Sequence, residues 1–468
     1  MANQETGSVD RREFLRLGTL GLGGLTMPEL FRRQEAAAGG LEPDTSVIFV
    51  WLPGGPPHLD MYDMKPNAPL EYRGPLRPIQ TNVSGFDICE LMPLHAKLAD
   101  KYNIVRSISH QFSDHGGGHK RFMTGRNPKS PVEFENDAPA TGSIVAKMIE
   151  RRSVGVPNYC CVVEGGREHV DTFSLGAAYL GSAYTPFMVP GDPSAEKFTV
   201  PNIAPQLDVV GRLDDRARLL KQFDSFRREA DQSGMMGSID QFHARAMGLL
   251  TSDKAKRAFD LSLESPALRD RYGRHAWGQR LLMARRLIEA GSIFVSVVLE
   301  NPYQSGVPWL KQGLYNWDSH AVNGHIYEDA KVRFPIYDQS VTALIEDIYQ
   351  RGLGRKTLVI VTGEFGRTPR IENQIGTNTG VRQPGRDHWP QSMSLITFGG
   401  GMRTGQIIGS TNRLGEHPKD RPLTPNDLWS TVYRHLGIDQ DHAFPDYAGR
   451  PMPILQSGSP IEELLPVA

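Results

Sequence analysis

Six short apolar runs, rich in β-branched residues, are separated along this chain by stretches with helical periodicity. That alternation constrains the fold more than any other feature. Residues 46–52 (SVIFVWL), Asn103–Ile108, Tyr159–Val163 (YCCVV), 292–299 (SIFVSVVL), Thr357–Thr362 (TLVIVT) and 394–398 read as strands. Ahead of the fifth run, over about residues 333–352, Val341, Leu344, Ile345 and Ile348 fall at i, i+3, i+4 and i+7, the spacing of one helix face. Strands that are apolar on both faces and alternate with helices predict an α/β fold with a mostly parallel sheet covered by helices on both sides. Ligands on such sheets gather outside the carboxyl ends of the strands, so the residues that follow each run are the candidates for chemistry.

Those segments are unusually rich in histidine and carboxylate. The first run leads into PGGPPHLDMYDMKP, with His58, Asp60 and Asp63. The second leads into SISHQFSDHGGGHKRFMTGRNP, where His110, Asp114, His115 and His119 surround three glycines. After the fourth come Asp318, His320 and His325 in NWDSHAVNGH. After the fifth come Glu364, Arg367 and Arg370 in TGEFGRTPR, then Arg386, Asp387 and His388 in GRDHWP. Seven of the chain's 14 histidines lie here. Imidazole with carboxylate suits a divalent cation of the Zn, Mn or Fe type, which would polarise an ester oxygen or acidify a water. Arg367 and Arg370 have the planar fork that grips a tetrahedral oxyanion. Each residue also has a plainer reading. A lone histidine such as His58 or His325 can serve as a hydrogen-bonded structural group, Asp63 can cap a turn, and Asp387 can orient His388 without binding metal. The triple glycine makes either a tight turn or a helix that puts His115 and His119 on one face.

Composition excludes several classes. The 468 residues carry 52 Lys+Arg against 53 Asp+Glu, so no strongly basic face is implied and nucleic acid is not a favoured partner. Neither a G-x-S-x-G elbow nor a Walker A loop occurs. Three cysteines, two of them the adjacent Cys160 and Cys161, do not make a disulfide framework and read as buried thiols. Residues 207–271 are rich in Arg, Lys, Asp, Glu and Gln with helical periodicity, and read as a helical insertion with the charges of 247–264 on a solvated face. Residues 176–199, rich in Gly, Pro and Ser, read as the surface loop that enters it.

The N-terminus reads DRREFLRLGTLGLGG. Arg11-Arg12 opens a Gly- and Leu-rich segment, and Ala36-Ala37-Ala38 supplies a small-residue cleavage site. This is the twin-arginine export pattern. It predicts a signal over 1–38, use of the twin-arginine machinery, and an α/β domain over 39–468 that is periplasmic or peripherally membrane-associated. An uncleaved anchor is the alternative. The glycine-rich segment is short for a membrane span, and no later segment has the roughly 20 apolar residues that a span needs.

Taken together, the export pattern, VIFVWLPGGPPHLDMYDMKP, SISH…DHGGGHKRFMTGRNP, GEFGRTPRI, GRDHWP and the C-terminal AGRPMPILQSGSPIEELL resemble the domain-of-unknown-function 1501 family, of planctomycete type. The resemblance spans about residues 44–465. That family is in turn distantly similar to the alkaline phosphatase and sulfatase superfamily. The relationship implies an alkaline-phosphatase-like sheet with one or two divalent metals at the strand ends. It puts His115 at the nucleophile position and His119 at the arginine position of HGGGHKRFMTG. It matches Asp318, His320 and His388 to metal ligands and keeps a carboxylate at Glu364. It departs where Phe365 replaces a metal histidine and where Pro53-Gly54 replaces the first-strand Asp, a place that Asp60 could approach.

These readings converge on an exported metal-dependent hydrolase of phosphate or sulfate esters, with a small anionic ester or a sulfated or phosphorylated glycan as substrate. The expected metal ligands (Zn, Mn or Ca) are Asp318, His320, His388, Glu364, Asp60 and His58. Arg367 would hold the anion, and His115 would serve as ligand, general base or nucleophile. The competing reading is a non-catalytic binding or assembly protein on the same fold, holding anionic glycans through Arg367, Arg370 and Arg386.

Overall fold

Successive residues of the first strand, β1 (Ser46–Trp51), feed two different hydrophobic cores. Ile48 and Val50 enter one with Leu52, while Val47, Phe49 and Trp51 enter the other, and all are buried. A strand with period-two side chains and no polar face must be covered on both sides, and the computed structural model has that arrangement. It describes residues 45–133, 136–149, 155–168, 172–200 and 252–466. The expected signal over 1–38, and residues 207–251 of the expected insertion, lie outside the described residues.

The other sheet strands are β2 (Asn103–Ile108), β3 (Tyr159–Val163), β4 (Phe187–Pro190), β5 (Phe294–Val298), β6 (Thr357–Thr362), β7 (Met393–Gly399) and β8 (Ile407–Ile408). They are ordered β8-β2-β7-β6-β1-β5-β3-β4. β1 pairs in parallel with β5 and β6, β3 with β4 and β5, and β2 with β8. β7 is the exception, antiparallel to both β2 and β6. Met393 lies opposite Ile108 at the end of β2, and Gly399 opposite Leu358 near the start of β6. The segment entering β7 therefore lies at the same edge as the segments leaving the parallel strands. This is how GRDHWP reaches the carboxyl edge from upstream of its strand.

Helices α1 (His115–Thr124), α2 (Thr141–Met148) and α7 (Pro425–Leu436) cover one face through Phe122, Ile144, Trp429 and Val432. Helices α3 (Asp253–Phe259), α4 (Pro266–Tyr272), α5 (Ala276–Glu289) and α6 (Ile326–Gln350) cover the other. The four apolar positions read from the sequence in α6 are all fully buried. The helix starts earlier than its periodicity indicated, because His325 caps it by accepting the Glu328 N–H at 3.3 Å.

Two expectations need correction. The stretch 176–199 is not all loop, since Phe187–Pro190 adds an edge strand to β3. Within 247–264 the described part is not simply a solvated face: Ala255, Ala258, Phe259 and Leu261 are buried in the core beneath α5. His325 caps α6, which is the structural one of its two readings. Cys89, Cys160 and Cys161 are buried and free. No helix among the described residues is long and apolar enough to cross a membrane.

Candidate metal centre

Four segments leave or enter the sheet at its carboxyl edge and meet there. After β1 the chain turns through Gly54 and Gly55, both with positive φ. A Cβ on Gly54 would stand 2.5 Å from the Asp318 nitrogen, so only glycine fits. The Gly54 N–H donates to the two Glu364 carboxylate oxygens at 2.9 and 3.1 Å. The glycine turn after β1 thus binds the carboxylate that follows β6.

The triple glycine is helical. Asp114 caps α1, its Oδ1 accepting from the Gly117 N–H at 2.7 Å, and the spacing of four places His115 and His119 on one face. A Cβ on Gly118 would stand 2.9 Å from the Phe365 ring, so this glycine lets the helix approach the end of β6. Trp317 fixes the third segment. Its main-chain N–H donates to the Pro53 oxygen at 2.9 Å and its indole N–H to the Leu299 oxygen at 2.7 Å, delivering Asp318 and His320. The fourth segment is a two-residue ribbon in which His388 lies opposite Arg367.

The donor atoms converge. His320 Nε2, His388 Nε2 and Asp318 Oδ1 form a triangle with sides of 2.9, 3.1 and 3.2 Å. Ligands about 2.1 Å from one ion, at angles between octahedral and tetrahedral, stand roughly 3.0–3.4 Å apart, so the triangle has the size of one face of a coordination polyhedron. Beside it, His115 Nδ1 and His119 Nε2 lie 2.8 and 3.3 Å from Glu364 Oε1, and His115 Nε2 lies 3.5 Å from Asp318 Oδ2. His115 therefore bridges the two halves. Asp387 Oδ1 stands 3.4 Å from His320 Nδ1, and His388 Nδ1 is 2.5 Å from the Ser113 oxygen, which orients each imidazole from behind. The Phe365 ring packs on His388 (4.5 Å between centroids) and His115 (5.5 Å), closing one side.

The electrostatics fit a cation site. Burial alone would raise Asp318. Hydrogen bonds from His115, His320 and His388, with the Arg367 charge, override it and hold Asp318 well below the ordinary carboxylate range. Burial likewise opposes ionisation of Glu364, but His119 and His115 hold it low. Burial would lower His115, yet its bonds to Asp318 and Glu364 raise it to about 10. Without a metal His115 therefore keeps a proton shared with Asp318 and Glu364, and ligation by His115 would displace it.

Of the eight site residues expected from the sequence, Asp318, His320, His388, Glu364 and His115 come together, and Arg367 stands behind them. Among the described residues three sets of possible ligands cluster: His115, Asp318 and His388; His115, His119 and Glu364; His320, Asp387 and His388. His119 and Asp387 were not among the expected ligands, although the spacing of four and the neighbouring His388 were visible. Asp60 and His58 are elsewhere. The short turn His58–Met61 points them inward. Asp60 is taken by a two-point ion pair to Arg386 (2.7 and 3.0 Å). Buried His58 accepts from the Arg367 N–H at 3.3 Å and lies 3.3 Å from the Ser392 hydroxyl. Burial, then the nearby Arg386 and Lys65 charges, lower it to about 3.

The role expected of Arg367 is also corrected. Its side chain is fully buried and donates to the Gly55, Gly54, Arg386 and Trp317 carbonyls and to Asp318 Oδ1 at 2.7 Å. With its donors so engaged, it positions Asp318 and has none aimed at an incoming anion. Arg386 is buried as well, on Asp60 and the Thr368, Pro369 and Tyr72 carbonyls. Of the three arginines expected to bind anions, only Arg370 is exposed.

Solved structures similar to this chain include alkaline phosphatase from the Antarctic bacterium TAB5, with a TM-score of 0.35 and 11% identity over 84% of this chain and 99% of that one. The lipoteichoic acid synthase LtaP from Listeria monocytogenes gives 0.36 and 9% over 87% and 78%. The PsFucS1 sulfatase from Pseudoalteromonas sp. gives 0.34 and 12% over 87% and 70%. No curated protein sequence matches. The family model described as "Protein of unknown function (DUF1501)" matches residues 44–465, nearly the whole of the described chain, and the protein belongs to that family.

Proposed function

We propose that the protein is a metal-dependent hydrolase of phosphate or sulfate esters. The observation that carries this reading is the convergence of His320 Nε2, His388 Nε2 and Asp318 Oδ1 to edges of 2.9–3.2 Å, beside the His115, His119 and Glu364 group. The donor set fits a divalent cation of the Zn or Mn type. Asp318, His320 and His388 would hold one ion, and Glu364, His119 and His115 the adjoining position. A bound cation supplies polarisation of the ester oxygen and acidification of a water. The residues supply the rest. Arg367 and the Gly54 N–H fix the two carboxylates. Asp387 and the Ser113 carbonyl fix the imidazoles. His115, the one imidazole facing both carboxylates, is the group suited to hold and pass a proton.

The test is elemental analysis of the purified chain, with hydrolysis of aryl phosphates and aryl sulfates measured before and after chelation. A metal-bearing protein that turns over one ester class, and loses both metal and turnover in His388→Ala while keeping its circular dichroism, supports the reading. A chain that takes up neither Zn, Mn nor Ca refutes it. A metal-bearing chain with no turnover across the panel favours the binding-protein alternative. That alternative has its own supporting observation: Phe365, packed on His388 and His115, stands where the superfamily resemblance expects a metal-binding histidine.

We further infer work outside the cytoplasm, with residues 1–38 as a twin-arginine signal cleaved after Ala38 and residues 207–271 as a helical insertion in the mature domain. Arg11→Lys with Arg12→Lys should abolish export. N-terminal sequencing that finds Met1 on exported protein would refute cleavage.

A further inference from the structure

The segment that leaves β1 passes the metal centre and then forms a second concavity, a groove of about 390 Å³. Three cationic side chains line it, Lys65, Arg73 and Arg77, between the apolar walls of Met64, Pro66, Leu76 and Pro78. Lys65 shares its charge with Asp63 at 3.0 Å. The two guanidiniums do not share theirs. Arg73 reaches only its neighbour's carbonyl, Gly74, at 3.5 Å, and the nearby Glu90 carboxylate is used by the Arg77 main-chain N–H at 3.0 Å. Among the described residues neither guanidinium has a carboxylate within ion-pair distance.

The groove is built on a fixed backbone. The Tyr72 carbonyl accepts from Arg386 at 2.7 Å, the Glu71 carbonyl accepts from the Ile371 N–H at 2.7 Å, and Leu76 is buried. Its volume is in the range of small-molecule sites and equals roughly thirteen waters at about 30 Å³ each, far more than one tetrahedral anion fills. Two planar forks suit two oxyanions. The walls are apolar but carry no aromatic ring, which removes the stacking platform that nucleobases use and leaves the C–H faces of a sugar as the matching surface.

We propose that this groove binds a sugar carrying two or more sulfate or phosphate groups, Arg73 and Arg77 each holding one oxyanion and the apolar walls packing on the ring. The site is separate from the metal centre and does not depend on the hydrolase reading.

Calorimetric titration of the full chain with a size-defined, heparin-derived sulfated hexasaccharide tests it, with the desulfated hexasaccharide and inorganic sulfate as controls. Saturable binding that weakens at least tenfold in Arg73→Gln with Arg77→Gln is the expected result, with no binding of the desulfated sugar. The exposed Arg77→Gln single variant serves if the double variant does not fold. Equal affinity in wild type and variant overturns the proposal, as does equal affinity for the desulfated sugar. Inorganic sulfate binding as tightly as the hexasaccharide would make the groove a free-anion site and also overturn it. His320→Ala should leave hexasaccharide binding unchanged. Loss there instead of in the arginine variants would assign the binding to the metal centre.

Discussion

Replacing Asp60 by asparagine separates the fold from the metal. Both Asp60 oxygens lie on Arg386, at 2.7 and 3.0 Å, with the two side chains 1% or less exposed. The substituted amide would keep one acceptor and turn an NH2 group toward a guanidinium that has no other carboxylate partner among the described residues, so a buried charge loses its counterpart. Breaking such a pair costs about 3–5 kcal/mol. At roughly 2.1 cal/mol/K of unfolding entropy per residue, a chain of 468 residues has about 1 kcal/mol per degree, which corresponds to a fall of about 3–5 °C in the melting midpoint. Metal content should not change, because neither group belongs to the converging donors. His320→Ala is the reciprocal variant. Its side chain is 24% exposed, so the metal-free protein should lose less than about 1 kcal/mol while metal affinity falls at least tenfold. Scanning calorimetry at fixed scan rate, paired with elemental analysis, reads both quantities. An Asp60→Asn protein that keeps its melting midpoint and loses its metal would refute the assignment.

Arg367→Lys should lower metal affinity by about 10–100-fold, since a lysine cannot tie the Gly54, Gly55 and Trp317 carbonyls together while holding Asp318; a raised KM for the anionic ester with full metal content would instead restore the anion-gripping role. Gly118→Ala drives a Cβ to 2.9 Å from the Phe365 ring and should cost about 1–3 kcal/mol together with metal affinity, read by chemical denaturation and metal titration. Acid should destabilise the protein early. His58 and His110 are lowered by burial from 6.5 to about 3 and about 4, so the unfolded chain binds more protons below pH 6.5 and stability falls as pH drops from there toward 4, by up to roughly 1.4 kcal/mol per unit for each histidine; a flat midpoint from pH 7 to 4.5 would contradict this.

The central strands were legible because burial on both faces leaves β1 apolar from Val47 to Trp51, and all six runs read from the sequence are strands of the sheet. The edge strand Phe187–Pro190 was not, because four residues next to Pro186 and Gly191 carry too little pattern to outweigh the surrounding turn chemistry. The antiparallel sense of β7 was also invisible. Nothing in Met393–Gly399 itself encodes direction, which is set by where the segment 363–392 leaves the chain. In the site, Asp318, His320, Glu364 and His388 were readable because each lies a few residues from a strand end or on a pinned loop. Asp60 and His58 sit just as close to β1 but on a four-residue turn that faces inward, and sequence distance does not report facing.

The arginines were misread for a related reason, since sequence reports charge and not burial. Arg367 alone donates to carbonyls of the loop after β1 (Gly54, Gly55), the loop after β5 (Trp317) and the segment entering β7 (Arg386), as well as to Asp318. Five fixed donors in one plane can join three loops where one point charge cannot. A centre assembled from loops needs such a joint, because its ligand distances are otherwise set by segments that have no ladder between them. The consequence reaches the chemistry. With Arg367 and Arg386 both turned to the scaffold, an ester anion arriving at the cluster meets imidazoles and carboxylates. If the site binds metal as proposed, the cation held by Asp318, His320 and His388 would supply the positive charge that those two arginines do not, and anion recognition would then depend on its loading.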